Sequence, residues 1–339
     1  MHSTPGPTLR APTWDSAHRG LRVQVLGACG ARGREVVLAL LGAGHPASRL
    51  ALYARTPRTL EWHGETLRVE AMPARLPAAE LAFLCTPAEV SLPLAAQLAA
   101  AGTRVVDLSG ALALQPRSAL VLAGVNDLGL GAFTEQVALP LPSTALVAPA
   151  LALLEREVGL AEVDLFLVVA AAHHGARGML ALREERVRRA STSVAAELER
   201  PLCVGNLRTA ESLSEGFEAL LGTELMRLLG RSDLLLDVTA WAGDVERSDV
   251  FAVKALLHAP LDPEAAVELF ASRPEFLLVP TGKTPTPSAS DGDARLHVGR
   301  IRSGSRGPRS LCFCAAGDQL RAGSSHAALA VAARLAVGA

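Results

Sequence analysis

The sequence predicts an α/β chain of two domains, and three observations carry that prediction. Short apolar, β-branched runs at 21–26, 50–54, 81–85 and 104–108 alternate with helical patterns, the spacing of a parallel sheet with covering helices. A glycine-rich turn lies directly between the first run and the first helix. After Pro142 the rhythm changes to longer and fewer strands, at 163–171, 234–240, 250–257 and 310–315, which suits an α+β domain with a mostly antiparallel sheet.

Each element has its own signal. Residues 1–19 contain Pro, Gly and Ser but no apolar run, so they read as a disordered leader rather than a signal peptide. The strand at 21–26 stops at Gly27, and Val36, Val37, Leu40 and Leu41 then recur at helical spacing before Gly42 and Gly44. The strand at 50–54 leads into a hairpin-like stretch turning at Trp62-His63-Gly64-Glu65. Pro87 and Ala88 open a helix that runs to Ala101 and is followed by the strand at 104–108. Further helices are expected at 143–158, 191–199 and 214–229, and a last one at 319–336. The expected domains are therefore 20–142, completed by 319–339, and 143–318. One face of an antiparallel sheet often meets a twin, so a homodimer is expected.

Composition narrows the function classes. The 339 residues carry a formal net charge of -1 with the signs interspersed, which argues against a nucleic-acid partner. The apolar runs fall short of the roughly 20 residues that a membrane helix needs. Cys29, Cys85, Cys203, Cys312 and Cys314 are odd in number and irregularly spaced, which fits free thiols of a cytoplasmic protein and neither a disulfide framework nor a metal site.

Gly27, Gly30 and Gly33 form a G-x-x-G-x-x-G turn between strand and helix. Such a turn lets backbone donors approach a pyrophosphate and adds the helix dipole, so the first domain reads as Rossmann-type, with Gly27, Cys29, Gly30, Ala31, Arg32 and Gly33 as nucleotide contacts. A purely structural turn is the competing reading. The second strand ends in Ala54-Arg55-Thr56 with no acid for a ribose, so Arg55 and Thr56 favour the 2′-phosphate of NADP over NAD. The bland alternative is that Arg55 is a solvated loop charge. Cys85 and Thr86 end another parallel strand, at the sheet edge where ligands sit.

From the glycine loop onward the chain resembles the aspartate-semialdehyde dehydrogenase family. The resemblance rests on that loop, on Arg55, on Val106-Asp107-Leu108-Ser109-Gly110-Ala111, on Pro142-Ser143-Thr144, on Pro285-Thr286-Pro287 with Val298-Gly299-Arg300-Ile301-Arg302, and on Gly317-Asp318-Gln319-Leu320-Arg321-Ala322-Gly323. It implies NADP as cofactor, with Ser109, Gly110 and Gln319 beside it. It also implies a reaction through a cysteine thioester, with a histidine base and two substrate arginines. Here the nucleophile position falls on Pro142 and the base position on Arg247, while the arginine positions fall on Ala113 and near Ala240. Proline offers no nucleophile and a guanidinium accepts no proton. The resemblance is thus to a divergent member of the kind often called Usg-type.

Three residues are candidates for replacement chemistry: His173 and His174 just past a strand, and Ser143, which is otherwise a helix cap. A packed or solvated histidine pair is the competing reading. Asp244, Glu246 and Asp249 beside Arg247 read as a salt-bridged loop. Two functional expectations follow: a non-catalytic scaffold or regulatory homologue that keeps the fold, or an NADP-dependent oxidoreductase that needs no covalent intermediate and uses His173 or His174 as proton donor.

Overall fold

A computed structural model of the chain describes residues 14–113, 115, 118–127, 130, 135–191, 207–209 and 215–337. Contacts divide it into two compact units. The first takes the chain up to Cys29, then Gly33–Pro140 and His326 onward, and the second takes Gly30–Arg32 and Leu141–Ser325.

In the first unit, β1 (Val23–Leu26), α1 (Ala31–Gly42), β2 (Leu50–Ala54), β3 (Arg58–Trp62), β4 (Glu65–Ala71), β5 (Leu81–Leu84), α2 (Ala88–Ala100), β6 (Arg104–Asp107), β7 (Ala119–Leu120) and β8 (Gln136–Ala138) follow in order. They build an eight-stranded sheet in the order β3-β4-β2-β1-β5-β6-β8-β7. Every pairing is parallel except the β3–β4 hairpin, which turns at His63 and Gly64. β1 and β5 are buried along their whole length, which is why they read as continuous apolar runs rather than alternating ones.

Residues 14–19, expected in the leader, belong instead to the fold of the first unit. Trp14 is buried in the core of this unit and stacks on His18, which belongs to a short 3-10 turn, Ser16–His18, and reaches the Ala333 carbonyl through Nε2. An indole that can bury its ring gains more than chain disorder does, and composition alone hid that. The last helix, α8 (Ala327–Val337), begins later than expected and packs Ala328, Val331, Ala332 and Leu335 into the same core. The stretch Arg321–His326 before it is π-helical.

In the second unit, α3 (Pro142–Val158), β9 (Leu160–Val169), α4 (Gly175–Ser191), β10 (Arg208–Thr209), α5 (Phe217–Leu229), β11 (Leu235–Ala242), β12 (Ser248–Leu257), α6 (Pro263–Ala271), β13 (Phe276–Leu278), α7 (Pro287–Ser290), β14 (Leu296–Ser303) and β15 (Ser310–Asp318) follow. The seven-stranded sheet runs β10-β11-β9-β12-β15-β14-β13 and is antiparallel except where β11 meets β9 and β13 meets β14. β14 escaped the sequence reading because Gly299 and two arginines interrupt its apolar alternation. α4 escaped it too. Of the two glycines that made 173–178 look like a loop, Gly175 sits at φ +65° where the helix begins, and Gly178 is a packing position, since a Cβ there would lie 2.3 Å from the Ala171 carbonyl oxygen. Of the helix expected at 191–199, Ser191 ends α4 and the remainder lies outside the described residues.

Cys29, Cys85, Cys312 and Cys314 are free thiols, and Cys203 lies outside the described residues. No helix among the described residues is long and apolar enough to cross a membrane.

The turn after β1 depends on two glycines. Gly27 has φ +91°, and a Cβ there would meet the Cys85 carbonyl oxygen at 2.6 Å. A Cβ on Gly33 would lie 2.2 Å from the carbonyl oxygen of Gly27, so α1 can approach the turn only without one. Gly33→Ala is expected to destabilise the protein by about 1–3 kcal/mol, read as a drop in the urea midpoint at unchanged slope.

Candidate functional site

The parallel pairings of β1, β2, β5 and β6 place the carboxyl ends of these strands on one edge of the first unit's sheet. That edge gathers most of the residues singled out for a nucleotide: Gly27 and Cys29 after β1, Arg55 and Thr56 after β2, Cys85 and Thr86 after β5, Ser109 and Gly110 after β6. Gly30, Ala31, Arg32 and Gly33 continue from the turn into the start of α1.

Local bonds fix each piece. The Gly27 and Ala28 amides donate to the Tyr53 carbonyl at 2.8 and 3.0 Å, and the Cys85 amide donates to Leu26 at 2.8 Å. Cys85 therefore supports the turn with its backbone. The Thr86 and Ser91 hydroxyls lie 2.7 Å apart. Asp107, fully buried, accepts from the Ser109 amide at 2.8 Å, the Ser109 hydroxyl at 2.5 Å and the Leu112 amide at 2.8 Å. This carboxylate shapes the turn on which Gly110 sits at φ +82°. Arg55 and Thr56 are exposed, and Arg55 has no acidic partner among the described residues.

The second cluster belongs to the second unit and surrounds the start of α3. Pro142 is the first residue of that helix, and Leu141 before it offers no side-chain cap. Ser143 and Thr144 are completely buried. Ser143 is not a cap, because its hydroxyl donates to Asp249 Oδ2 at 2.6 Å. Asp249 Oδ1 accepts from the Ala170 amide at 2.8 Å and from Gln319 Nε2 at 2.6 Å. Glu224 on α5 accepts from the Thr144 hydroxyl at 2.7 Å and the Leu141 amide at 2.8 Å. Burial pushes both carboxyls up, each to about 7, against the pull of these donors.

Three expectations are corrected here. Asp249 does not join a salt-bridged loop: it faces inward at the start of β12, while Asp244 pairs with Arg186 at 2.7 Å and Glu246 pairs with Arg183 of α4. Arg247 pairs instead with buried Asp318 at 2.9 Å, which also accepts from the Gly292, Leu320 and Arg321 amides. Gln319 is buried in the second unit with its side-chain amide on Asp249. His173 and His174 lie on a 3-10 turn, Ala171–His174, rather than a loose loop. His173 packs edge-on against Phe217, and burial, then the charges of His174 and Arg32, press its pKa down to about 3. Burial also lowers His174. Both rings are neutral near pH 7. Among the described residues no group of three His, Cys, Asp or Glu side chains could hold a metal ion.

Sequence reasoning overlooked Asp107, Glu224 and Asp318. A signal existed for Glu224, which falls on the stripe of α5 marked by Phe217, Leu221, Leu225 and Leu228. The buried carboxyl of Asp249 makes a testable contribution. Its folded pKa lies above its unfolded value, so the folded state holds the proton longer and stability is lost as pH rises from about 4 to about 7. Asp249→Asn removes that loss and leaves the histidines' contribution unchanged. Its stability relative to the parent chain, from urea midpoints, is expected to rise between about pH 5 and about pH 8.

Residues 22–130 match the semialdehyde dehydrogenase, NAD binding domain. The chain is 27% identical over 332 residues to an aspartate-semialdehyde dehydrogenase of Synechocystis sp., covering 92% of this chain and 96% of that protein. It is 26% identical to a USG-1 protein homolog of Azotobacter vinelandii, covering 91% and 96%. A probable aspartate-semialdehyde dehydrogenase from Pseudomonas aeruginosa superposes with a TM-score of 0.79 at 26% identity, covering 91% of this chain and 96% of that one. With two sheets of the topology described and a glycine turn built as above, the chain carries a semialdehyde dehydrogenase NAD binding domain at 22–130 and is similar over more than nine-tenths of its length to aspartate-semialdehyde dehydrogenases.

Proposed function

We infer that the chain is an NADP(H)-binding member of the aspartate-semialdehyde dehydrogenase family that does not carry out the thioester-based oxidoreduction and serves as a scaffold or regulatory homologue. The observation that carries this reading is the start of α3. The position assigned to the nucleophile is Pro142, and the two hydroxyls that follow it are buried on Asp249 and Glu224. Arg247, at the position assigned to the base, is a cation paired with Asp318. A thioester needs a thiolate, and none is offered there.

The carboxyl edge of the parallel sheet fits the cofactor. The turn at Gly27 and the N-terminus of α1 would hold the pyrophosphate, and exposed Arg55 with Thr56 would take the 2′-phosphate where no acid competes for a ribose. Bound NADPH would supply hydride. In this reading the protein is a cytoplasmic homodimer. The outer face of the second unit's sheet, where Phe166 and Leu235 stand 40% and 67% exposed, is the surface that pairs. The alternative, a carbonyl reductase working without a covalent intermediate and using His173 or His174 as proton donor, has less support, since burial lowers the pKa of both rings.

Steady-state assay with aspartate semialdehyde, NADP and inorganic phosphate is expected to give turnover below about 1 per second. Pro142→Cys alone is expected to leave that unchanged, since the thiol gains no base; appreciable rescue would show the pocket intact and this reading wrong. NADPH is expected to bind, and Arg55→Ala to weaken it by about 10- to 150-fold, or roughly 1.5–3 kcal/mol, with NADH nearly unaffected. Equal weakening of both nucleotides in a titration would give Arg55 a structural role instead.

A further inference from the structure

The second unit carries a cavity of about 560 Å³ between β14 and the segment that follows β13. Lys283, Arg300 and Arg302 line it, and no carboxylate does. On a chain of net charge -1, that is a local concentration of one sign. Elsewhere the arginines are commonly paired: Arg22, Arg183, Arg186, Arg231, Arg247, Arg295, Arg306 and Arg334 all meet carboxylates. Among the described residues, none of the three lining cations has an acidic partner.

The backbone presents these cations deliberately. Arg300 has φ +54° and is one of two non-glycine residues in the left-handed region among those described. The other, His63, sits in a two-residue hairpin turn that calls for that geometry. Arg300 lies inside β14 at a bulge, where the pairing with β15 slips between Gly299 and Arg302. A bulge of this kind re-aims a side chain and can hold one residue in the left-handed region, where any residue but glycine is strained. The Arg302 guanidinium turns back toward the Arg300 carbonyl at 3.5 Å, which keeps it beside the bulge. Gly299 lets the opposite wall close in, since a Cβ there would lie 3.0 Å from Val279 and 3.1 Å from Pro285. The apolar part of the lining includes Leu278, Val279 and Ile301.

We propose that this cavity binds a small organic phosphate monoester, with the phosphoryl group on Lys283 and Arg300 and the organic part against Leu278, Val279 and Ile301. Guanidinium groups suit a phosphoryl dianion through paired N–H donors, and an ammonium adds a point charge. The apolar wall separates an ester from inorganic phosphate, which would gain nothing from it. The proposal is independent of the nucleotide edge, and the test keeps the two apart.

Calorimetric titration of the full chain with phenyl phosphate is expected to give a Kd below about 1 mM, at least about 10-fold tighter than inorganic phosphate. Lys283→Gln and Arg300→Gly are each expected to weaken phenyl phosphate by about 10-fold or more. Glycine relieves the left-handed backbone, so Arg300→Gly is expected to keep or raise the melting temperature while binding falls. Arg55→Ala is expected to leave phenyl phosphate binding unchanged. Several results would overturn the proposal: no binding at about 10 mM, binding undiminished in both cavity variants, or binding lost with Arg55→Ala. Inorganic phosphate binding as tightly as the ester would overturn the assignment of an organic ligand.

Discussion

Asp249 is the group on which the second unit turns. Its carboxylate is buried at the start of β12 and accepts three hydrogen bonds, from α3 through Ser143, from the end of β9 through Ala170, and from the segment after β15 through Gln319. Ionising a carboxyl out of water is expensive, and here burial outweighs all three donors, so that its pKa rises to about 7. A group held in this way is satisfied only if all three elements arrive in register. Removing any one donor leaves a buried acceptor short of a partner, at a cost of about 1–3 kcal/mol. The junction therefore specifies how the helix, the strand and the closing segment meet, more than it adds to stability.

Glu224 repeats the arrangement one residue further along α3, where it accepts from Thr144 and Leu141. A proline at the first helical position has no amide to satisfy, and the helix has no side-chain cap at Leu141. Two carboxylates at a helix N-terminus suit its dipole and take up the polar groups that a cap would otherwise serve. The sequence Pro142-Ser143-Thr144 is thus explained as a structural start for α3. Where the resemblance calls for a reactive thiol, the chain invests in closing the site with hydrogen bonds.

What the sequence made legible follows the kind of force involved. The parallel sheet, the glycine turn and the order of the main strands were readable because periodicity acts locally and a glycine trio directly after a strand marks the turn, even though the backbone that a Cβ on Gly27 would strike belongs to Cys85 and Thr86. Trp14 was misjudged because its partner, His18, and the core beneath it count only once the fold brings Ala333 near. α4 was missed because Gly178, which serves close packing on Ala171, looks like a turn residue in isolation. Asp249 was assigned to a loop of charges because Arg247 stands two residues away, yet strand geometry and the long-range pull of Asp318 send the two side chains to different partners. Charges are the least legible residues in a sequence, since their partners lie far along the chain: 106 positions separate Ser143 from Asp249, and 71 separate Arg247 from Asp318.

The same contrast bears on how the two halves of a family member can drift apart. A glycine turn binds phosphate with backbone amides and a helix dipole, and both persist as long as the strand–turn–helix persists. Its glycines are held by sterics as well, because a Cβ at Gly27 or Gly33 would strike backbone oxygens. A covalent active site depends instead on a few side chains whose loss costs the fold little. At the start of α3 the residues present serve the helix itself, Pro142 in the first turn and Ser143 and Thr144 on buried acids. Backbone similarity to a relative therefore speaks for the fold, whereas chemistry is decided by the few side chains at such a helix start.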